Sequence, residues 1–182
     1  MPRMLLTVLG LVLVAGCGAP AAAPPAPAGT TPPSIPGTTP PSAPPGGIAL
    51  TGELKTPATL TPQQLAALPQ QSVQVSFASS KGTEQHAEAG VPLAAIIPAG
   101  ALRTTSRKND LLAFAVLAVG SDGYAAAVAY GEVSADFGNR GALVALTEDG
   151  KPLARPRLVM PGDVKGGRYV SDLLELRVVR VG

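Results

Sequence analysis

The residues best suited to chemistry lie in a glycine-rich segment near the end of the chain. Lys165 and Arg168 flank Gly166 and Gly167, so two cations stand beside two residues that let the backbone approach an anion closely. A phosphate or another small anion is the ligand that such a segment favours. The segment lacks the spacing of glycine, Lys and Ser/Thr that defines the phosphate loop of nucleotide hydrolases. The alternative interpretation, which the sequence leaves open, is an ordinary turn with solvated charges.

The distribution of charge favours an anion site at the same end of the chain. Residues 151–182 carry seven basic side chains against three acidic ones, and Arg157 is one of these cations. Residues 48–150 carry six basic and nine acidic side chains. The candidate anion- or cofactor-binding residues are therefore Lys165, Gly166, Gly167, Arg168 and Arg157.

The composition excludes two classes of function. The formal net charge is only +2, and the chain has no Trp, three Tyr and three Phe, so it lacks the basic surface and the stacking platforms of a nucleic-acid-binding protein. One Cys and one His are too few for a Cys/His zinc site. We therefore expect no nucleic-acid partner and no metal site of this kind, and metal chemistry would need a cofactor.

His86 is the only histidine of the chain. A Ser-His-acid triad could be written around it, but the sequence has no Gly-x-Ser-x-Gly nucleophile motif. The residue lies in the polar run 81–88, which predicts a surface position for the imidazole rather than a catalytic one.

Residues 1–16 are typical of a lipoprotein signal peptide. Arg3 precedes an apolar run that is too short to cross about 30 Å of bilayer hydrocarbon. The run ends in Leu-Val-Ala-Gly-Cys, which resembles the lipobox of bacterial lipoproteins and implies lipidation of Cys17 with cleavage before it. Two or more lipid chains give stable attachment to a membrane. We predict a protein anchored outside the cytoplasm, on the periplasmic side or the cell surface, unless Cys17 is merely a small residue of the signal.

Residues 17–47 are predicted to form the lipidated cysteine and a linker. Eleven of the 20 prolines and no charged residue lie between Gly18 and Gly47. Because proline has no N–H donor and a fixed φ, this tract predicts an extended spacer, either plain or O-glycosylated. Residues 48–182 remain, and they are enough for one domain with a buried core.

Local patterns predict a strand-rich, mixed α+β domain with two or three short helices. Thr61 caps a helix that has Pro62 in its first position and Gln64 in its third, which is a capping box. A second helix is predicted over 90–97, where apolar residues recur at three- and four-residue spacing.

Strands are predicted from alternation and from turn residues. Val73, Val75 and Phe77 alternate with polar residues, which indicates a half-buried strand. Pro156 is expected at a sheet edge or a bulge. Tyr124 and Tyr130 are expected on one strand face, packed in the core or along a cleft. The remaining strands are predicted as a hairpin of 111–119 with 124–130, a hairpin of 142–147 with 153–160, and a last strand over 174–181.

Seven short motifs follow one another in the second half of the chain. Their order and spacing resemble the oxidoreductase molybdopterin-binding domain of the sulfite oxidase superfamily, over nearly all of residues 48–182. The resemblance implies a fold like that domain and, in an active member, molybdopterin as cofactor. The motifs are Gly90-Val91-Pro92-Leu93, Asp122-Gly123-Tyr124, Gly131-Glu132-Val133, Phe137-Gly138-Asn139-Arg140, Asp149-Gly150-Lys151-Pro152-Leu153, Arg157-Leu158-Val159-Met160-Pro161-Gly162-Asp163 and Gly167-Arg168-Tyr169-Val170.

The sequence departs from this family at the metal. The resemblance implies a cysteine thiolate, a soft ligand that suits molybdenum, near residues 77–80, but no cysteine follows Cys17. Ser79, Ser80 and His86 are the polar side chains at hand, and a solvated polar loop is the simpler interpretation. The resemblance also implies that residues 161–168 face the phosphate of the pterin.

Two functions from different classes remain. The missing thiolate favours a non-catalytic binding or accessory lipoprotein, without a bound cofactor, whose partner is a small anion or another protein. The alternative is a molybdopterin-dependent oxidoreductase that uses an atypical ligand or a partner subunit in place of the thiolate. The catalytic residues of such an enzyme are not identified by the sequence.

Overall fold

The computed structural model describes residues 45–182, which fold into nine strands, three short α-helices and three 3₁₀ turns. In chain order the strands are β1 (Ile48–Gly52), β2 (Ala58–Leu60), β3 (Gln71–Ser79), β4 (Gly82–Pro92), β5 (Phe114–Gly120), β6 (Ala125–Ala129), β7 (Leu143–Glu148), β8 (Lys151–Val159) and β9 (Leu173–Arg180). The helices are α1 (Pro62–Ala67), α2 (Leu93–Ile96) and α3 (Tyr130–Val133), and the 3₁₀ turns are Ala99–Ala101, Asp110–Ala113 and Gly166–Arg168. The predicted strand-rich α+β fold is confirmed.

The strands form two sheets. One sheet has five strands in the order β2-β1-β9-β5-β6, and the other has four strands in the order β3-β4-β7-β8. Neighbouring strands are antiparallel except β1 and β9, which run parallel with Ala49 beside Glu175. The last strand of the chain therefore lies in the middle of the larger sheet, between β1 and β5.

The main core is built from both sheets and from the short helices. Val116, Leu176 and Val178 come from the larger sheet, and Val144 and Leu158 from the smaller one, all at most 1% exposed. A second, smaller apolar cluster lies on the other face of the four-stranded sheet, since alternate strand residues point to opposite faces. Its buried members are Val75, Leu143, Ala145 and Val159.

The predicted helices are present, and the first has the predicted cap. The Thr61 hydroxyl accepts a hydrogen bond from the Gln64 amide, and the Thr61 amide donates to the Gln64 side chain. The second helix is shorter than expected, because Gly90 to Pro92 continue β4 and α2 begins at Leu93. A Cβ at position 90 would lie 2.0 Å from the Val144 carbonyl oxygen, so the close approach of β7 to β4 at this bulge requires glycine.

Both predicted hairpins are confirmed. β5 pairs with β6 and β7 pairs with β8. Pro156 lies in β8, an edge strand of the smaller sheet, where its missing N–H does not interrupt a ladder. Leu111 does not belong to β5 but to a 3₁₀ turn, and Tyr130 begins α3 instead of ending β6.

Two carboxylates are buried because the decisive contacts are not local. Residues 81–88 are predicted as a polar surface run, and Lys81 to Thr83 are exposed, but the run continues into the inner strand β4 and Glu88 is buried. The other buried carboxylate is Glu175, in the last strand β9. Its carboxylate accepts hydrogen bonds from Thr51 and Arg177, which offset the cost of burying it.

Within residues 45–182, none of the helices has the length and apolar character needed to cross a membrane. The predicted signal peptide, the lipidation site Cys17 and the linker up to residue 44 lie outside the described residues, and those expectations stay predictions.

Candidate functional site

A cleft of about 490 Å³ lies where the end of β3 meets the glycine-rich segment. The Ala78 amide donates a hydrogen bond to the Val164 carbonyl at 2.8 Å, and Ala78 forms a parallel bridge with Lys165. Two segments that the sequence analysis singled out separately, residues 77–80 and 165–167, thus become the two walls of one site. The lining residues are Phe77, Ala78, Ser79, Ser80, Lys165, Gly166 and Gly167.

Close packing at Gly166 fixes the floor of the cleft. A Cβ at this position would lie 2.8 and 2.9 Å from two carbons of the Phe77 ring, so a side chain would displace that ring. The ring in turn packs on Tyr169, with the centroids 4.4 Å apart. Gly166 is therefore required by packing, whereas no heavy atom lies within 4 Å of a Cβ built on Gly167.

Tyr124 holds the other side of the glycine-rich segment. Its hydroxyl donates to the Gly167 carbonyl at 2.5 Å. Tyr130, which was expected on the same strand face, is instead buried in the core, and its hydroxyl donates to the Ile97 carbonyl at 2.9 Å. The two tyrosines therefore have separate roles, one beside the cleft and one in the core.

Arg168 does not line the cleft, because it is held by two carboxylates. Its Nε and Nη2 atoms lie 2.8 and 2.6 Å from the two oxygens of Asp163, and its Nη1 atom lies 3.0 Å from Glu132 Oε2. The hydrogen bonds to Asp163 raise the pKa of the guanidinium above its ordinary value. The side chain ties the glycine-rich segment to α3 rather than meeting an external anion.

Arg157 also has internal partners. On β8 its guanidinium donates a hydrogen bond to the Glu148 carboxylate, and its Nη1 atom lies 3.4 Å from Glu88 Oε1. Glu88 is 0% exposed, and its Oε2 atom has no hydrogen-bond partner within the part of the chain that the structure describes. Burial and the nearby Glu148 raise the pKa of Glu88, although Arg157 opposes this.

Lys165 is the cation that remains at the cleft. Its side chain is exposed, and none of the ion pairs among the described residues includes it. Of the five predicted anion-binding residues, the structure brings Lys165, Gly166 and Gly167 together in the cleft. Arg157 and Arg168 are placed elsewhere, each in contact with two carboxylates.

His86 is part of a polar network on β4 and not of a triad. Its Nδ1 atom lies 2.9 Å from Asp149 Oδ2, and its Nε2 atom lies 3.5 Å from Glu84 Oε2. The bond to Asp149 raises the pKa of the imidazole. The contact joins β4 to the turn between β7 and β8, where Asp149 also accepts a hydrogen bond from the Ala87 amide.

The donor set of the cleft does not fit a molybdenum centre of the thiolate kind. The cleft offers the hydroxyls of Ser79 and Ser80 and the ammonium of Lys165, and the only thiol of the chain, at Cys17, lies outside the described residues. Between residues 45 and 182 there is no group of three or more His, Cys, Asp or Glu side chains that could hold a metal ion. The two arginines best suited to a pterin phosphate are already paired.

The sequence analysis did not identify Glu88 as a buried carboxylate. Glu88 was included only in a polar run, yet it is more deeply buried than any cleft residue. Its periodicity gave a usable signal, because residues 84, 86 and 88 alternate on one strand face opposite Phe77, Val75 and Val73. The apolar partners across the strand indicate burial of that face.

Comparisons with known proteins bear on the fold. No protein-family model matches the chain, and no curated protein matches it. Twenty-nine chains of solved structures do match. One is the sulfane dehydrogenase SoxCD from Paracoccus pantotrophus, with a TM-score of 0.59 and 15% sequence identity, over 72% of this chain and 37% of that chain. At this identity the likeness shows that the two chains share a fold, and it shows the fold alone.

Proposed function

We propose that this chain is a lipid-anchored, extracytoplasmic accessory protein whose molybdopterin-oxidoreductase-like domain binds a ligand without redox catalysis. The observation that carries the proposal is the cleft between residues 77–80 and 165–167, which has an unpaired cation but no thiol. A soft metal needs the thiolate, whereas a small anion needs only positive charge and hydrogen-bond donors.

The cleft suits a small anion that binds with modest affinity. Lys165 supplies the charge, the hydroxyl of Ser80 supplies a donor, and Gly167 leaves room for the ligand to approach the backbone. The open, exposed position of Lys165 implies that binding weakens as salt rises, because solvent-exposed charges are screened within about 8 Å at physiological ionic strength.

The alternative function is a molybdopterin-dependent oxidoreductase with an atypical ligand or a partner subunit. It is favoured by the likeness to a sulfane dehydrogenase and by the place of Ser79 and Ser80 in the cleft. Both candidates share the fold, and they differ in whether the domain carries a metal.

Metal analysis of the full chain, purified from cells that synthesise molybdopterin, separates the two functions. We expect far less than one molybdenum per chain and no turnover of sulfite or a sulfoxide. The matched variants Ser79→Cys and Ser80→Cys restore a thiol to the cleft wall and test whether that single group is what the site lacks. Stoichiometric molybdenum in the unaltered protein would contradict the proposal and would make Ser79, Ser80 and His86 the candidate ligands.

The proposed anchor is tested separately by Cys17→Ser. Without the thiol neither thioether lipidation nor the following cleavage can take place, so we expect the uncleaved precursor and no lipidated form. The measurement is the mass of the protein together with metabolic labelling by a fatty acid, with Ser42→Ala in the linker as a matched control. Labelled, cleaved Cys17→Ser protein would contradict the anchor.

A further inference from the structure

The strand β3 is an unprotected sheet edge. It is one of the two edge strands of the four-stranded sheet, and its nine residues include no charged residue and no proline. The opposite edge, β8, carries two prolines and three cations. Natural edge strands are usually protected by charges, by proline or by short length, because free backbone groups recruit another strand. The contrast between the two edges marks β3 as a surface that can accept one.

The contact at Ala78 shows which backbone N–H and C=O groups of β3 point away from β4, towards the free edge of the sheet. The Ala78 amide donates outward, to Val164. Because outward and inward groups alternate along an antiparallel strand, the amides and carbonyls of Ser72, Gln74 and Ser76 also point outward. Within the described part of the chain, these groups have no backbone partner.

The free part of this edge has defined ends. Val164 occupies it at Ala78, and at the other end Gln70 turns away to donate to the Leu65 and Leu68 carbonyls. Residues 71–77 lie between these two points, with Gln74 at their centre. Since Gln74 is one of the outward residues, an antiparallel strand of the same sequence can pair along the whole segment.

We propose that β3 is where two copies of this chain pair, antiparallel about a two-fold axis at Gln74. Ser72 then lies opposite Ser76 of the second copy, and Gln74 lies opposite itself. Around a two-fold axis, the residue on the axis faces its own copy, and a charged side chain there would face an identical charge and be repelled. β3 contains no charged residue, so the pairing meets no such repulsion.

The apolar face of β3 supports a second copy as the occupant. Val73 and Val75 lie on the face of the smaller apolar cluster, and in this register they meet across the axis. The pairing joins the two clusters into one continuous apolar surface, and the two four-stranded sheets become one sheet of eight strands. Cross-strand pairs of β-branched residues are favourable contacts.

Cysteine cross-linking in membranes that contain the full chain tests this register. With Gln74→Cys, the two cysteines would have Cα atoms about 5.5 Å apart, as in a hydrogen-bonded antiparallel pair, which is within the range that a disulfide spans. We expect a disulfide-linked dimer under mild oxidation. The matched control is Gln85→Cys, an exposed residue on the same sheet face of the next strand, which we expect to stay monomeric.

Two further variants test the axis. Ser72→Cys and Ser76→Cys are each expected to stay monomeric, because the identical positions lie about 13 Å apart along the strands. Mixed in one membrane, the two variants are expected to cross-link. Any linkage through Cys17 would appear equally in the Gln85→Cys control. Absence of the Gln74→Cys dimer, with that thiol open to a maleimide, would overturn the proposal, and so would an adduct with a different protein in its place.

Discussion

Asp163 holds Arg168 with both oxygens of its carboxylate, at 2.8 and 2.6 Å from the guanidinium. The arginine that the sequence offered as an anion ligand therefore already has an anion from its own chain. A third contact, to Glu132, links the same side chain to α3. Of the two cations in the glycine-rich segment, one is structural and one is free, and this difference can be measured.

Replacing Arg168 by Ala is expected to destabilise the domain by about 1 kcal/mol, because two carboxylates lose a partly buried partner. Lys165→Ala, the matched control in the same segment, is expected to change stability by less than about 0.5 kcal/mol. Thermal unfolding of the two variants checks this difference. Equal stability of both variants would mean that the ion pairs around Arg168 contribute nothing.

Phosphate is expected to raise the melting temperature of the unaltered protein, since a ligand that binds only the folded state stabilises it. The shift should decrease with added salt and disappear in Lys165→Ala. Lys151→Ala, which removes an exposed cation at the turn between β7 and β8, should keep it. A shift that survives in Lys165→Ala would place the anion elsewhere.

The two glycines of the cleft are expected to respond differently to the same substitution. Gly166→Ala pushes a methyl group into the Phe77 ring and should cost about 1 to 2 kcal/mol. Gly167→Ala meets open space and should be nearly neutral. Chemical denaturation measures both free energies of unfolding, and a larger loss in Gly167→Ala would contradict the packing described here.

Glu88→Gln is expected to stabilise the protein at neutral pH, on the order of 1 kcal/mol, by removing a buried charge. The folded-state pKa of Glu88 is raised above its ordinary value of 4.5, so its protonated form favours the fold at low pH. That contribution is lost as the pH rises through the folded-state pKa.

The gain in Glu88→Gln should therefore shrink towards pH 4, which unfolding curves over a pH series measure. Glu84→Gln provides the control, because Glu84 lies on the same strand face and its hydrogen bonds lower its pKa. We expect no gain at pH 7 in that variant. A stabilisation that does not depend on pH would rule out the buried charge as its cause.

Features determined by neighbouring residues could be predicted from the sequence. The capping box at Thr61 and the hairpin turns depend on residues within four positions of each other, and these predictions are confirmed. The α+β class followed from the same local patterns. The end of β4 was mispredicted because Pro92 and the apolar spacing that follows it favour a helix over 90–97 locally, and the pairing of Gly90 to Pro92 with β7 overrides that preference.

The site was only half predictable for the same reason. Lys165 and the serines near Phe77 were identified, but nothing local indicates that Val164 pairs with Ala78 to join them. The pairing of Arg168 with Glu132 likewise connects residues 36 positions apart. Composition reveals how many charges a segment has, whereas only the fold determines which charges are already neutralised.

The parallel pairing of β1 with β9 imposes an order of events on a newly made chain. The first strand, which contains Ala49, lies beside Glu175, so its partner on this side is synthesised long after β1 itself. Every hairpin can close early, but the larger sheet cannot, because closing so long a loop is slow and β9 separates β1 from β5. A chain that ends before Leu173 keeps its hairpins and loses the strand that unites them, so the domain completes its fold only after β9 has been synthesised.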